Sequence, residues 1–288
     1  MTSLEMELKK IWYMMLSNFR VRFLFAFGIV MELINVVIGA GSYFFLTKVF
    51  QGTAEVMGKY GTDVVSYIIL GISLNSMLMQ SLTGIFSSLV ESYYDRSLER
   101  ISLSPTSIYT LLLTNMMTGY IGRALNSILY LIIGLLVFGM NLGSGNVALA
   151  LLVLLLGLAA TVGLGMLLCL VFFYTATGKG GPSPILMFAY TFTNTFSGAT
   201  FPIEVIIAFA PWLFLISAFL PQTHALSAIR MILNGSSLYD ASVFADIAYL
   251  VVFSLITIPI GSYLIKRGLD KVRREGYVPP SEGIWLFG

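Results

Sequence analysis

The sequence predicts an all-α polytopic membrane protein of six transmembrane helices, with an N-terminal interfacial helix and an outer-side re-entrant helical hairpin. Three observations carry that prediction. Hydrophobic residues make up 57% of the 288-residue chain and charged residues 10%, too few to wet the surface of a soluble domain, which needs about a quarter. Several apolar stretches exceed the roughly 20 residues of helix that cross a bilayer core. The basic residues fall mostly on one side when six spans are counted, as expected for cytoplasmic loops.

The N-terminal segment 1–22 is expected to form a cytoplasmic amphipathic helix at the inner membrane surface. There "LEMELKKIWYMMLSNFRVRF" mixes charges with Trp12, Tyr13 and Phe19, which suit headgroup depth. It does not read as a cleavable signal: Glu5 and Glu7 stand beside Lys9 and Lys10, and the apolar run that follows is longer than a signal core. The transmembrane domain then occupies 23–268, with spans near 23–46, 64–90, 108–138, 147–174 and 245–265, and another beginning near Pro184. A cytoplasmic tail, 269–288, ends the chain.

Between the fifth and sixth spans lies an apolar piece broken by Pro202, Pro211 and Pro221. Read as a re-entrant hairpin over about 202–220, it leaves both termini cytoplasmic. Lys9, Lys10, Arg20, Arg22, Arg96, Arg100, Lys179, Lys266, Arg267, Lys271, Arg273 and Arg274 then face inward, and Lys48, Lys59 and Arg230 face outward. A seventh span would instead strand the basic C-terminal cluster outside. Proline also suits a first helical turn better than a helix interior.

Chemistry on the chain itself is not expected. Gly178-Lys179 lacks the preceding glycine and following Ser or Thr of a phosphate loop. His224 is the single histidine, and neither Ser197 nor Ser227 sits in a nucleophile motif. No His, Cys, Asp or Glu residues cluster as metal ligands, and no two carboxylates share a depth as a dyad. The lone Cys169 lies in an apolar run, and a net charge of +2 argues against a nucleic-acid partner. Catalytic residues, metal and cofactor are therefore expected to be absent from this chain.

Two charges fall within spans. Glu32 and Arg123 can both reach the bilayer interior, where an unpaired charge costs at least a few kcal/mol. They are expected either to pair with each other or to face an aqueous path separately. Asn75, Gln80, Asn115, Asn126 and Asn194 add polar groups inside the spans, as inter-helix hydrogen bonds or as path lining.

The connector after the second span is polar and helix-compatible over about 91–104, with Glu91, Asp95, Arg96, Leu98, Glu99 and Arg100, then Ser104-Pro105 opening the third span. This segment resembles the cytoplasmic coupling helix of ABC-2 type transporter permeases, which reads Gly-Thr-Leu-Glu-Arg, a short apolar run, then Ser/Thr-Pro. Here Arg96 takes the glycine position, Ser97 the threonine position, and Ser102 interrupts the apolar run. The hairpin is similar to a second signature of that family through Ser197-Gly198, Phe201-Pro202, Pro211-Trp212, Pro221-Gln222-Thr223, Arg230 and Asn234-Gly235. Ala210 replaces a common leucine and His224 a usual aromatic.

The resemblance implies a permease subunit of an ATP-driven exporter, multi-pass in the cell membrane. It implies a second permease chain, as a homo- or heterodimer, and a separate ATP-binding cassette subunit that carries ATP and Mg. The coupling residues would be Glu91, Asp95, Arg96, Leu98, Glu99, Arg100, Ser104 and Pro105. The outer gate would be Phe201, Pro202, Phe209, Pro211, Trp212, Phe214 and Pro221, whose aromatics also suit interface anchoring. Spans rich in Met and Phe lean toward a small amphipathic or hydrophobic, drug- or lipid-like substrate, with polysaccharide or ion as alternatives. The competing class is an ion-gradient-driven secondary transporter, which would show proline-broken helices in both halves; they occur only in the second.

Overall fold

The computed structural model describes residues 9–17, 30–31, 34–42, 63–94, 108–175, 183–204 and 211–275. Among them the regular structure is entirely helical. Stretches 9–17 and 34–42 are helical, with Trp12 and Tyr13 exposed. The elements that follow are α1 (Val64–Tyr94), α2 (Ile108–Leu136), α3 (Val147–Thr175), α4 (Ser183–Phe196), α5 (Phe214–Phe219), α6 (Pro221–Leu233) and α7 (Ala241–Glu275).

Four of these, α1, α2, α3 and α7, are long and apolar enough to cross a membrane, and a bent α5–α6 pair counted as one span makes a fifth. The chain is therefore a multi-pass membrane protein. The expected spans coincide with α1 to α3 almost residue for residue. The last differs: α7 begins at Ala241 and runs through Pro259 to Glu275. A proline inside a membrane helix is tolerated because neighbouring groups re-satisfy the freed carbonyl. The Lys266, Arg267 and Lys271 cluster lies on this same helix, since an α-helix leaving lipid has no physical reason to stop at the boundary.

Local chemistry sets the helix ends. Asn146 caps α3, its side-chain oxygen accepting from the Leu149 N–H at 3.1 Å. α2 stops where Gly139 takes φ +67°, and the Met140 N–H returns to the Gly134 carbonyl at 2.9 Å, closing the helix with a left-handed glycine.

α1 is the central element, packed against α2, α3, α4 and α6, while α7 covers α3 and α6. Two apolar layers lie along it. One joins Ile69 and Leu78 to Val153, Leu226, Ile229 and Leu250. The other joins Phe86 and Leu89 to Leu112, Met116, Phe172 and Leu269, with Phe86 and Phe172 edge to face at 6.2 Å.

Lipid removes most of the hydrophobic drive between helices, so close packing and hydrogen bonds hold spans together. α1 shows both. Ser66, Ser73, Ser81 and Ser88 recur at about two helical turns and are all buried. Each marks a bond to α2 or the loop after it: Ser66 Oγ accepts from the Asn141 N–H, the Ser73 carbonyl from Ser127 Oγ, Ser81 Oγ meets the Tyr120 hydroxyl, and Ser88 Oγ accepts from Asn115. On another face, Gly165 of α3 lies against the Leu82 and Ser81 carbonyls so closely that a side chain there would collide with backbone.

Candidate functional site

Three features converge on α1: a buried arginine clamp, a proline-broken hairpin and a polar cavity. The clamp begins where α4 ends. Gly198 takes φ +72°, a left-handed turn that favours glycine, and turns the backbone carbonyls of 198 and 199 toward α1 and α6. Arg230 of α6, 3% exposed, donates from Nη1 to Gly198 O at 2.9 Å and from Nη2 to Ala199 O at 3.0 Å and Tyr67 O at 3.1 Å. Its guanidinium carbon lies 3.5 Å from the centre of the Tyr67 ring, and the Tyr67 hydroxyl donates to Gly198 O at 3.0 Å. Charge-assisted bonds and a cation–π contact thus offset desolvation of the cation and tie α1, α6 and the 197–199 turn into one unit. Gly71 lets the three meet, for a Cβ there would strike both Ala199 O and Arg230 Nη2. Arg230, which the charge pattern assigns to the outer side of the membrane, is buried in the packing, where three carbonyls and a ring replace its water shell.

The hairpin carries an 86° bend between Pro211–Phe219 and Pro221–Leu233. Pro221 lacks an N–H to continue α5 and holds Leu220 in an extended conformation, φ −80° and ψ 121°. Breaking a helix at membrane depth strands carbonyls, and side chains meet them here. The Tyr249 hydroxyl donates to Phe219 O at 2.7 Å. His224 Nε2 donates to Ala218 O at 2.9 Å, while Nδ1 faces Asp246 at 2.6 Å and the ring stacks on Tyr249 at 4.0 Å. Both ring nitrogens of His224 thus face oxygen atoms of neighbouring segments, which ties α6 to the end of α5 and to α7. Asp246 and Tyr249 were not among the expected site residues. The sequence signal was available: an aspartate at the start of an apolar span requires a partner.

The cavity, 490 Å³, opens between the 30–42 stretch, α1, α2, α4 and the turn after α4. Asn35 comes from the first of these, Asn75 and Ser76 from α1, and Arg123, Asn126 and Tyr130 from α2. Tyr190 and Asn194 of α4 and Thr200 of the turn complete the polar wall. Asn75 Nδ2 donates to Asn194 Oδ1 at 2.8 Å, bracing α1 against α4. Its lining on α1, Ile72 to Met79, lies near the middle of the membrane-capable stretch Val64–Ser92. Asn75, Asn126 and Asn194 thus line the cavity, whereas Asn115 bonds Ser88 and Gln80 packs on Gly119 and Gly84.

The remaining expected residues divide as follows. Arg123 is exposed and faces the cavity, while Glu32 lies outside the described residues. Of the gate set, Pro202 and Pro221 are buried and Phe201 is half-buried. Pro211, Trp212 and Phe214 are exposed on this chain, and Phe209 lies outside the described residues. Of the coupling set, Glu91 is exposed near the end of α1, continuous with the span rather than on a separate helix. Asp95, Arg96, Leu98, Glu99, Arg100, Ser104 and Pro105 lie outside the described residues. Among the described residues no group of His, Cys, Asp and Glu could hold a metal ion.

No curated protein matches the chain. A family model does, that of the ABC-2 family transporter protein, over residues 41–263, a stretch that contains α1 to α6, the clamp, the hairpin and the part of the cavity lined by α1, α2, α4 and the turn after α4. With most of its length covered by that match, the chain belongs to the ABC-2 transporter family and is a membrane permease of that type.

Proposed function

We propose that this chain forms the translocation path of an ATP-driven exporter and couples it to a separate ATP-binding cassette subunit. The observation that carries the reading is the polar cavity at mid-membrane depth, in a permease whose spans are otherwise apolar. Polar and ionisable groups inside a bilayer are costly, so a cavity that gathers them marks a substrate path. The chain has six spans with both termini cytoplasmic, the 9–17 helix lies along the inner surface, and two permease chains associate. ATP and Mg bind on the partner subunit.

The connector 91–104 docks in a cleft of that subunit, with Glu99 and Arg100 fixing register through charge pairs. Closure of the ATPase then favours one of two packings of the spans, which requires different contacts in each. The hairpin caps the path on the outer side. Its exposed Trp212 and Phe214 meet the second permease chain or the lipid interface, and the clamp at Arg230 holds it to α1. The cargo is a small amphipathic molecule.

The test is ATPase activity of the full-length chain reconstituted with a co-expressed ATP-binding cassette subunit. Assembly and altered hydrolysis with wild type, both weakened by Glu99→Ala with Arg100→Ala, are expected. A folded chain that neither binds nor alters the ATPase would transfer the reading to an ion-gradient-driven transporter.

A further inference from the structure

We propose that the mid-membrane cavity is a binding site for an anionic, hydroxyl-bearing group, with Arg123 engaging the anion and the asparagine wall engaging the hydroxyls. The inference rests on the permease reading and names the chemistry of its cargo.

Arg123 is the only charged side chain among the described residues lining the cavity. A guanidinium presents a planar fork of donors that matches phosphate or carboxylate. It would repel a lipophilic cation. Around it stand Asn35, Asn75, Asn126 and Asn194, from four different segments. Each amide offers donors and an acceptor together, the pairing a hydroxyl also offers, so an asparagine wall suits several hydroxyls better than a purely apolar ligand.

One atom points to a missing partner. Asn75 is 3% exposed, its Nδ2 is engaged by Asn194, and its Oδ1 accepts no hydrogen bond among the described residues. A buried amide oxygen left in that state is unfavourable, and a ligand hydroxyl would satisfy it. An apolar ligand would leave that oxygen unsatisfied on loss of water. The volume of 490 Å³ falls within the range of small-molecule sites.

The same chemistry can arrive as a free phosphorylated or carboxylated sugar-like solute or as the head group of an anionic lipid. Binding to the full-length chain in phosphatidylcholine nanodiscs separates these sources. The probes are glucose 6-phosphate, glucose and tetraphenylphosphonium in solution, and phosphatidylglycerol introduced in the bilayer and followed by native mass spectrometry. Saturable binding of glucose 6-phosphate identifies a solute site, and retention of phosphatidylglycerol over phosphatidylcholine identifies a head-group site. In either case Arg123→Gln weakens binding about tenfold or more, Arg123→Lys restores part of it, and Asn75→Ala weakens it several-fold. Thermal unfolding of each variant without probe separates lost binding from lost folding.

Tighter binding of glucose or tetraphenylphosphonium than of the anionic probes overturns the proposal. So does absence of binding by both anionic probes, or anionic binding unchanged in a folded Arg123→Gln chain. The ATPase assay on the same preparations keeps the two readings apart. Arg123-dependent binding without ATPase coupling breaks the ATP-driven reading alone, and coupling without such binding breaks this site alone.

Discussion

α1 and α2 have nearly the same mean hydropathy, 1.4 and 1.5, and the same apolar span length of 29 residues. Yet 67% of the apolar window of α1 is buried inside the chain, against 11% for α2. Hydropathy therefore says that both cross the membrane and nothing about which one the others assemble around. The difference lies in side-chain size and polarity by face. Small residues let backbones approach, as Gly71 does at the clamp and Ser81 at Gly165, and the serine stripe along α1 offers hydrogen bonds at every second turn. α2 spends one face on that stripe and turns Leu125, Ile128, Ile132 and Leu135 outward. Arg123 sits beside that apolar face and toward the cavity, so α2 forms a wall where α1 forms a post.

Substitutions along the two helices test the contrast. The largest loss is expected at the clamp on α1: Arg230→Met removes all three charge-assisted bonds to the Gly198, Ala199 and Tyr67 carbonyls, leaving Gly198 O only the Tyr67 hydroxyl, and should destabilise the protein by roughly 3–5 kcal/mol. Unfolding in mixed detergent measures it, and a loss under 1 kcal/mol would mean that water enters the clamp. Gly71→Ala is expected to cost about 1–3 kcal/mol through the clash with Ala199 and Arg230, by the same measurement. It should be non-additive with Arg230→Met, since the two share contacts.

Smaller effects are expected where the helices meet. Tyr120→Phe and Asn115→Ala, each removing one bond to the serine stripe, should cost about 0.6–1.7 kcal/mol. Equal losses in the paired Ser81→Ala and Ser88→Ala variants would assign the effect to those bonds; unequal losses would assign it to packing. The smallest change is expected on the outer face of α2, where Ile128→Ala should stay within about 0.5 kcal/mol. A loss as large as that at a core position would show the face to be covered in the assembled transporter.

Much of the site was legible as residue types and little of it as geometry. The asparagines within spans stood out as polar groups in apolar runs, but Asn115 and Asn75 look alike in sequence. Only the helix rotation sends one to Ser88 and the other to the cavity. Gly198 and Arg230 belonged to one motif, but the motif does not reveal that the second binds the backbone opened by the first. The His224–Asp246 pair spans two segments and carries no local signal beyond the need of a span-end charge for a partner.

Composition by itself determined the solvent: a chain with so few charges cannot cover itself with water-wetted surface, and runs of about 20 apolar residues must then be helices, because lipid offers no partners to an open backbone. The proline positions likewise determined where the hairpin breaks, since a residue without an N–H cannot continue a helix. The tertiary structure alone decided which span is central, which polar groups meet and which face a cavity. Those depend on the rotation and depth of each helix against its neighbours, and in lipid the packing that sets them is a sum over many close contacts between segments far apart in the chain.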